Sequence, residues 1–248
     1  MGWVDTHCHL QLDRRPPETL LEGVDWVVVP GIDAESSEAA IALADAFPDR
    51  VVAACGVHPH NADRWGEEQD RIASLAVRAA AVGETGLDYY RDLAPRSMQR
   101  SAFAAHIRLA LDLDKPLVVH CRDAFADVHR MLEETAAGPR TVMHCWTGGR
   151  KWTRRFLDLG VTFSFAGPLT YPNARDLRRA AEIVPPDRVV VETDTPYLTP
   201  QPHRGEPNRP AWVGLVGEEL ARIWGAEPEE VARLTSSKAE QIFGGPRR

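Results

Sequence analysis

Histidines and acidic residues recur along this chain in clusters suited to holding divalent cations. The first is Asp5-Thr6-His7-Cys8-His9. Residues i and i+2 of a strand face one side, so His7 and His9 can reach the same ion. Gly56-Val57-His58-Pro59-His60, Gly83-Glu84-Thr85-Gly86-Leu87-Asp88, His120-Cys121-Arg122-Asp123, His144-Cys145 and Glu192-Thr193-Asp194 follow in order. His7 and His9 with single histidines from two other strand ends, a glutamate and an aspartate make a metal-ligand inventory. Imidazole suits zinc and carboxylate suits magnesium or manganese, so this mixture admits all three. A pair of ions needs a bridging anion. Lys115 is the only lysine near a strand, and it lies five residues before His120, at the wrong end for a carbamylated bridge. Glu84 is the best-placed carboxylate, beside Gly83 and Gly86, which suit close backbone approach. Asp194 can both ligate and take a proton from an activated water. Strand alternation turns Cys8, Cys121 and Cys145 away from their histidine neighbours, toward packing as small buried hydrophobes.

These clusters need a scaffold that gathers strand ends. Short β-branched runs at Trp3–His7, Asp25–Pro30, Arg50–Val57, Ala81–Thr85, Pro116–His120, Thr141–His144, Val161–Phe165 and Arg188–Glu192 read as strands. Between them, helical patterns cover Ser36–Phe47, Glu68–Ala80, Arg96–Leu113, Ala124–Ala136, Arg150–Leu159 and Ala174–Val184, with a short helix at Glu18–Glu22. Pro210–Trp224 and Pro228–Phe243 complete the chain as an eighth crossover and an extension. Alternating strands and helices call for parallel pairing. Eight such units predict an α/β fold, a (β/α)8 barrel of TIM type, as one domain over residues 1–248. An open doubly wound sheet is the runner-up. In a barrel the chemistry sits at the C-terminal ends of the strands, where the clusters fall.

Composition narrows the partners. Of the 248 residues, 44% are apolar and 26% charged, which fits a globular chain. The net charge of −7 repels polyanions, so nucleic acid could bind only through a local patch or through metal. No apolar run approaches the ~18 residues of a membrane span, and no basic-then-apolar leader precedes Trp3. Four cysteines without a C-x-x-C pair fit reduced thiols, and the expected location is cytoplasmic.

The motifs together resemble the TatD family of metal-dependent hydrolases, often called TatD deoxyribonucleases. The resemblance runs from Asp5 to about Phe243 and is carried by six blocks in fixed order. They are D-T-H-C-H-L at 5–10, G-V-H-P-H at 56–60, G-E-T-G-L-D-Y at 83–89, K-P-L-V-V-H-C-R-D-A at 115–124, M-H-C-W-T-G-G at 143–149 and V-E-T-D-T-P-Y-L at 191–198. It implies an amidohydrolase-like barrel with two divalent ions. One would lie among His7, His9, Glu84 and Asp194, the other among Glu84, His120 and His144, with His58 near a substrate phosphate. The chain departs from the family after the last strand, where Glu206 replaces a base and Arg209 a glutamate, and at Lys238, where asparagine is usual.

The expected activity is hydrolysis of phosphodiester bonds in single-stranded DNA, in the manner of a 3′-5′ exonuclease, with Glu84 and Asp194 as catalytic residues. Substrate contacts are expected from His58, Arg122 and Tyr89. The tyrosines at 89, 90, 171 and 197, with Trp65 and Trp146, could stack on bases. Arg91, Arg122, Arg150, Lys151, Arg204 and Arg209 could hold phosphates. The alternative is C–N or ester hydrolysis of a small metabolite on the same scaffold. A non-catalytic metal-binding barrel is a third possibility, disfavoured by the complete ligand set. A monomer is assumed.

Overall fold

Parallel strands cannot be joined by tight turns, so each apolar run of this chain must be followed by a crossover. The computed structural model, which describes residues 2–246, shows this arrangement repeated around a barrel. The strands are β1 (Val4–Asp5), β2 (Trp26–Pro30), β3 (Val51–Cys55), β4 (Ala81–Asp88), β5 (Leu117–Arg122), β6 (Thr141–Met143), β7 (Thr162–Phe165) and β8 (Val189–Val191). They lie in the order β1 to β8, every pair parallel. The seam between β8 and β1 is closed by Thr6 N–H donating to Val191 O and His9 N–H donating to Thr195 O. Asp5 reinforces it, accepting from the Thr193 amide at 2.9 Å and the Thr193 hydroxyl at 2.5 Å. The barrel reading therefore holds over the open sheet.

The helices are α1 (Pro17–Leu20), α2 (Ala34–Ala46), α3 (Trp65–Arg78), α4 (Arg96–Asp112), α5 (Phe125–Thr135), α6 (Arg150–Asp158), α7 (Arg175–Ala181), α8 (Val213–Trp224) and α9 (Pro228–Phe243). The α2 helix starts earlier than its apolar pattern because Asp33 and Ser36 form a reciprocal capping box. The α8 helix starts later, because Pro210–Trp212 forms a 3-10 turn before it. Lys115 spans the base of the barrel, its ammonium donating to the carbonyls of Ala76, Val77 and Ala79 at the end of α3. That position removes it from the mouth, as its sequence context indicates.

Two apolar layers result. The strand residues of alternate parity, such as Val27, Val51, Val119 and Phe163, pack outward against the helices. The opposite set, including Val4, Val28, Val52, Ala81, Val118, Val142 and Val190, fills the barrel interior. Ala239 and Phe243 of α9 pack into that interior cluster, so the final helix is more than an extension. It covers the end of the barrel remote from the strand C-termini. The opposite end stays open to solvent.

One buried histidine supports the wall of that open end. His106 on α4 is fully buried; its Nδ1–H donates to Ala102 O at 2.7 Å and its Nε2 accepts from Val57 N–H at 3.0 Å. Burial pushes its pKa from 6.5 to about 4. The unfolded chain binds the proton near pH 6.5 and the folded chain only near 4. Stability is thus full above about 6.5 and falls as pH drops through that window. Urea unfolding across this range should show wild type losing up to about 3 kcal/mol more than His106→Gln. Parallel pH profiles for the two proteins would refute the assignment.

Candidate metal centre

Glu84 reaches the barrel axis through a break in alternation. Ala81 packs inside and Val82 outside, so regular pleating would turn residue 84 outward with Val82. The β4–β5 register shifts between Val82 and Thr85, and Glu84 faces inward instead. Gly83 and Gly86 make this possible, with φ of +134° and +136°. A Cβ would stand 2.5 Å from Val118 O at Gly83 and 2.0 Å from His120 O at Gly86. A second parity break lies in β1, where Val4 faces inward but Cys8 packs with the outer layer. His7 and His9 are thereby turned to the axis.

Five imidazoles surround the Glu84 carboxylate. Its Oε2 lies 3.2 Å from His7 Nε2 and 3.6 Å from His9 Nε2. Its Oε1 lies 3.1 Å from His120 Nδ1, 3.4 Å from His58 Nε2 and 3.5 Å from His144 Nε2. Asp194 Oδ1 stands 3.5 Å from His9 Nε2, 3.8 Å from His7 Nε2 and 4.0 Å from His144 Nε2. Burial works to raise both carboxyl pKa values, but the surrounding imidazoles outweigh it. Glu84 is held well below the usual carboxylate range and Asp194 below it.

This donor set fits a divalent cation. Ligands about 2.0–2.1 Å from a tetrahedral ion stand roughly 3.3 Å apart. The His7–His9 Nε2 separation is 3.2 Å. Three overlapping groups, His7–His9–Glu84, His7–His144–Asp194 and His58–Glu84–His120, each bring their donor atoms within 4.8 Å of one another. No cysteine joins a group among the described residues. Cys8 lies in the outer core, Cys121 packs there and also borders the cavity, and the half-buried Cys145 opens onto the cavity, where its backbone turns at φ +43°.

The remaining ring nitrogens fix the tautomers. His9 Nδ1–H donates to Pro30 O, leaving Nε2 for the centre. Asp88 accepts from His120 Nε2–H at 3.0 Å, so His120 presents Nδ1. His144 Nδ1 lies 2.7 Å from Glu192 Oε1, an ion-pair contact off the ideal hydrogen-bond angle, and its Nε2 faces Glu84. His58 differs. Its Nδ1 accepts from the His60 amide, and burial holds its pKa far below the usual value. A neutral imidazole so engaged carries its proton on Nε2. That nitrogen is then a donor aimed at the centre, which sets His58 apart from the other imidazoles of the three groups.

Above the cluster opens a cavity of about 970 Å³. Of the loop cations considered as phosphate contacts, only Arg91 and Arg122 line it. Arg204 stacks on Tyr171 and Arg209 on Trp212. Of the aromatics considered for stacking, Tyr90 and Tyr197 line it, and Phe125 joins them. Tyr89 does not, contrary to the expectation of a substrate contact. Its hydroxyl donates to Asp127 at 2.6 Å and its ring lies under Arg96, because the turn after β4 sends residue 89 toward α5 and residue 90 toward the mouth. Trp146 is core and Trp65 packs on His106. Sequence reading gave no role to Asp88, Glu192 or His60. The first two are the carboxylates behind His120 and His144, and His60 Nε2–H shares Asp88 Oδ2 at 3.0 Å. The available signal was spacing: Glu192 stands two residues before Asp194 and Asp88 four after Glu84.

Comparison with known proteins agrees with this geometry. Residues 4–244 match the family model described as TatD related DNase. The chain is 40% identical to the uncharacterized metal-dependent hydrolase YcfH of Escherichia coli (strain K12), over 98% of this chain and 96% of that protein. It is 33% identical to a protein of Rahnella sp. (strain Y9602) named 3′-5′ ssDNA/RNA exonuclease TatD, over 89% and 88%. The crystal structure of the E. coli TatD homologue YJJV superposes with a TM-score of 0.89 at 26% identity, covering 98% of each chain.

The tautomer pattern yields a measurable consequence. Asp88→Ala leaves His120 without the partner that fixes its ring, and divalent-metal affinity should weaken by about 10- to 100-fold. Competition against a chromophoric chelator reads this directly. Affinity within twofold of wild type would show that Asp88 does not orient the ligand.

Proposed function

The chain belongs to the TatD-related DNase family of metal-dependent hydrolases, and from that premise we propose that it removes nucleotides from the 3′ end of single-stranded DNA. The observation that carries this reading is the donor cluster around Glu84 at the floor of an open cavity. The activity named for the Rahnella relative points the same way.

His7, His9 and Asp194 with Glu84 Oε2 form one cation site, and His120 and His144 with Glu84 Oε1 the other. Divalent ions, when bound there, would supply charge stabilisation at the phosphoryl group and lower the pKa of a bound water. Asp194 is placed to take the proton of an attacking water as its oxygen bonds to phosphorus; the P–O bond to the preceding nucleotide's 3′ oxygen breaks, and that oxygen leaves as a hydroxyl with a proton from solvent. The lowered pKa of Asp194 keeps it ionised for this role. His58 Nε2–H is placed to donate to a phosphoryl oxygen. Four free cysteines fit a cytoplasmic protein, and we take the chain to act there as a monomer.

End-labelled single-stranded DNA should be degraded from its 3′ end to nucleoside monophosphates, stopped by a chelator and restored by zinc, magnesium or manganese. Glu84→Ala should lower turnover by at least about 10³-fold, because it removes the group both cation sites share. Its far-ultraviolet dichroism should match wild type. Turnover within tenfold of wild type in metal-replete buffer overturns the reading, as does hydrolysis confined to amides or small esters.

A further inference from the structure

The outer flank of the barrel beside β6 carries a charge pattern that the cation sites do not use. Residues 150–182 hold seven basic and three acidic side chains, in a chain whose net charge is −7. Four of the seven, Arg150, Lys151, Arg154 and Arg155, stand in the first six positions of α6, and all four are exposed. At 3.6 residues per turn they span about 140° of one helix face. Thr153 and Phe156, on the other face, are buried. Asp158 ends the stripe at the last position of α6.

Five exposed arginines on other helices are held in ion pairs: Arg71 with Glu38, Arg78 with Asp45, Arg96 with Asp92, Arg130 with Asp127 and Arg222 with Glu219. Among the described residues the four cations of α6 pair with no carboxylate, although the neighbouring helices carry Glu133, Glu134 and Asp176. Arg155 lies over the Trp152 ring at 5.2 Å.

The stripe is continuous with the open end of the barrel. Strand β6 ends at Met143 and α6 starts at Arg150, so the helix begins at the rim and descends the outside. Thr147 lines the cavity, and Gly148 and Gly149 follow it with no side chain to stand between cavity and helix. A Cβ at Gly149 would meet nothing within 4 Å. A strand leaving the cavity over this sill meets Arg150 and Lys151 first, and Arg154 about 6 Å further down. A lipid surface would need apolar side chains turned outward beside the cations. Here Phe156 is buried, and Trp152 and Leu157 are half-buried against the core.

We propose that the α6 flank is an exosite for the backbone of a single strand whose 3′ end lies at the cation sites. It holds about two to four phosphates outside the cavity, at most one per cation. The inference rests on the phosphodiester reading and adds a preference to it: long strands are captured better than short ones, through binding and not through turnover.

Each phosphate held on a single strand contributes about −0.7 to the slope of log affinity against log salt. Affinity for a 20-mer of DNA should therefore fall about 7- to 50-fold between 50 and 200 mM salt. Fluorescence anisotropy of a labelled 20-mer, with chelator present so that no strand is cut, reads this directly. Lys151→Ala combined with Arg154→Ala should flatten the slope by about 1.4. With metal restored, the same variant should lower kcat/KM for the 20-mer by raising KM, and leave kcat/KM for a trinucleotide within about twofold of wild type. Arg71→Ala combined with Arg78→Ala, an equal change of charge on α3, should leave the slope as it is. An unchanged slope in the α6 variant, or equal flattening in the α3 control, overturns the exosite and leaves the phosphodiester reading standing. Displacement of the 20-mer by polyglutamate or by phosphatidylserine vesicles at equal charge concentration assigns the face to another partner and overturns it too. Salt-dependent binding through α6 without hydrolysis of any oligonucleotide in metal-replete buffer overturns the phosphodiester reading, and with it the placing of the 3′ end.

Discussion

A single buried carboxylate organises this protein. Glu84 lies within 3.6 Å of ring nitrogens from five histidines, which come from the ends of four other strands. Such a group is costly to bury as an isolated charge and tolerable only where cations or donors surround it. The barrel supplies that surround by closing. Without the seam made by Thr6, His9 and Asp5 against the segment after β8, His7 and Asp194 would not face one another. The approach of His7 and His9 to Asp194 and the closure of the sheet are thus one constraint, since both lie where β1 meets β8.

Around that centre a second ring of carbonyls and carboxylates decides which nitrogen of each imidazole is offered. Pro30 O, Asp88 and Glu192 engage the far sides of His9, His120 and His144. His58 is engaged by an amide instead, which reverses its role from acceptor to donor. Among the described residues His7 Nδ1 has no hydrogen-bond partner, and its ring stacks on that of His144 at 3.6 Å. The same residue type therefore turns differently engaged nitrogens to one centre, and the neighbour of the distal nitrogen makes the difference.

The loops that form the mouth are pinned. Tyr171 hydroxyl donates to Thr199 O, Arg204 lies over the Tyr171 ring, and the buried Asn208 amide donates to Thr193 O. The positions at which this chain departs from its family pattern, Glu206 and Arg209, sit outside the cavity, where Glu206 pairs with His203 and Arg209 covers Trp212. The cluster floor keeps its full donor set. Variation in the last loop therefore falls on the wall behind the mouth and not on the donor cluster.

The eight strands, their order and the alternating helices were legible in the chain, because β-branched runs at barrel spacing admit few other packings. The strand-end clusters were legible too, since only the C-terminal rim gathers them. Boundaries moved where a local device intervened, as with the Asp33 capping box and the Pro210 turn. The inward direction of Glu84 was not legible: counting alternation from Ala81 points it outward, and only the approach of β4 to β5 at two glycines turns it in. Nor did composition separate Tyr89 from Tyr90, or Arg122 from Arg204. Sequence determined which chemical groups lie at the barrel rim, since strand length and order follow from local pattern. Which of them face one another, and through which atom, was decided by tertiary structure, because backbone breaks and the partner of each distal nitrogen come from segments far apart in the chain.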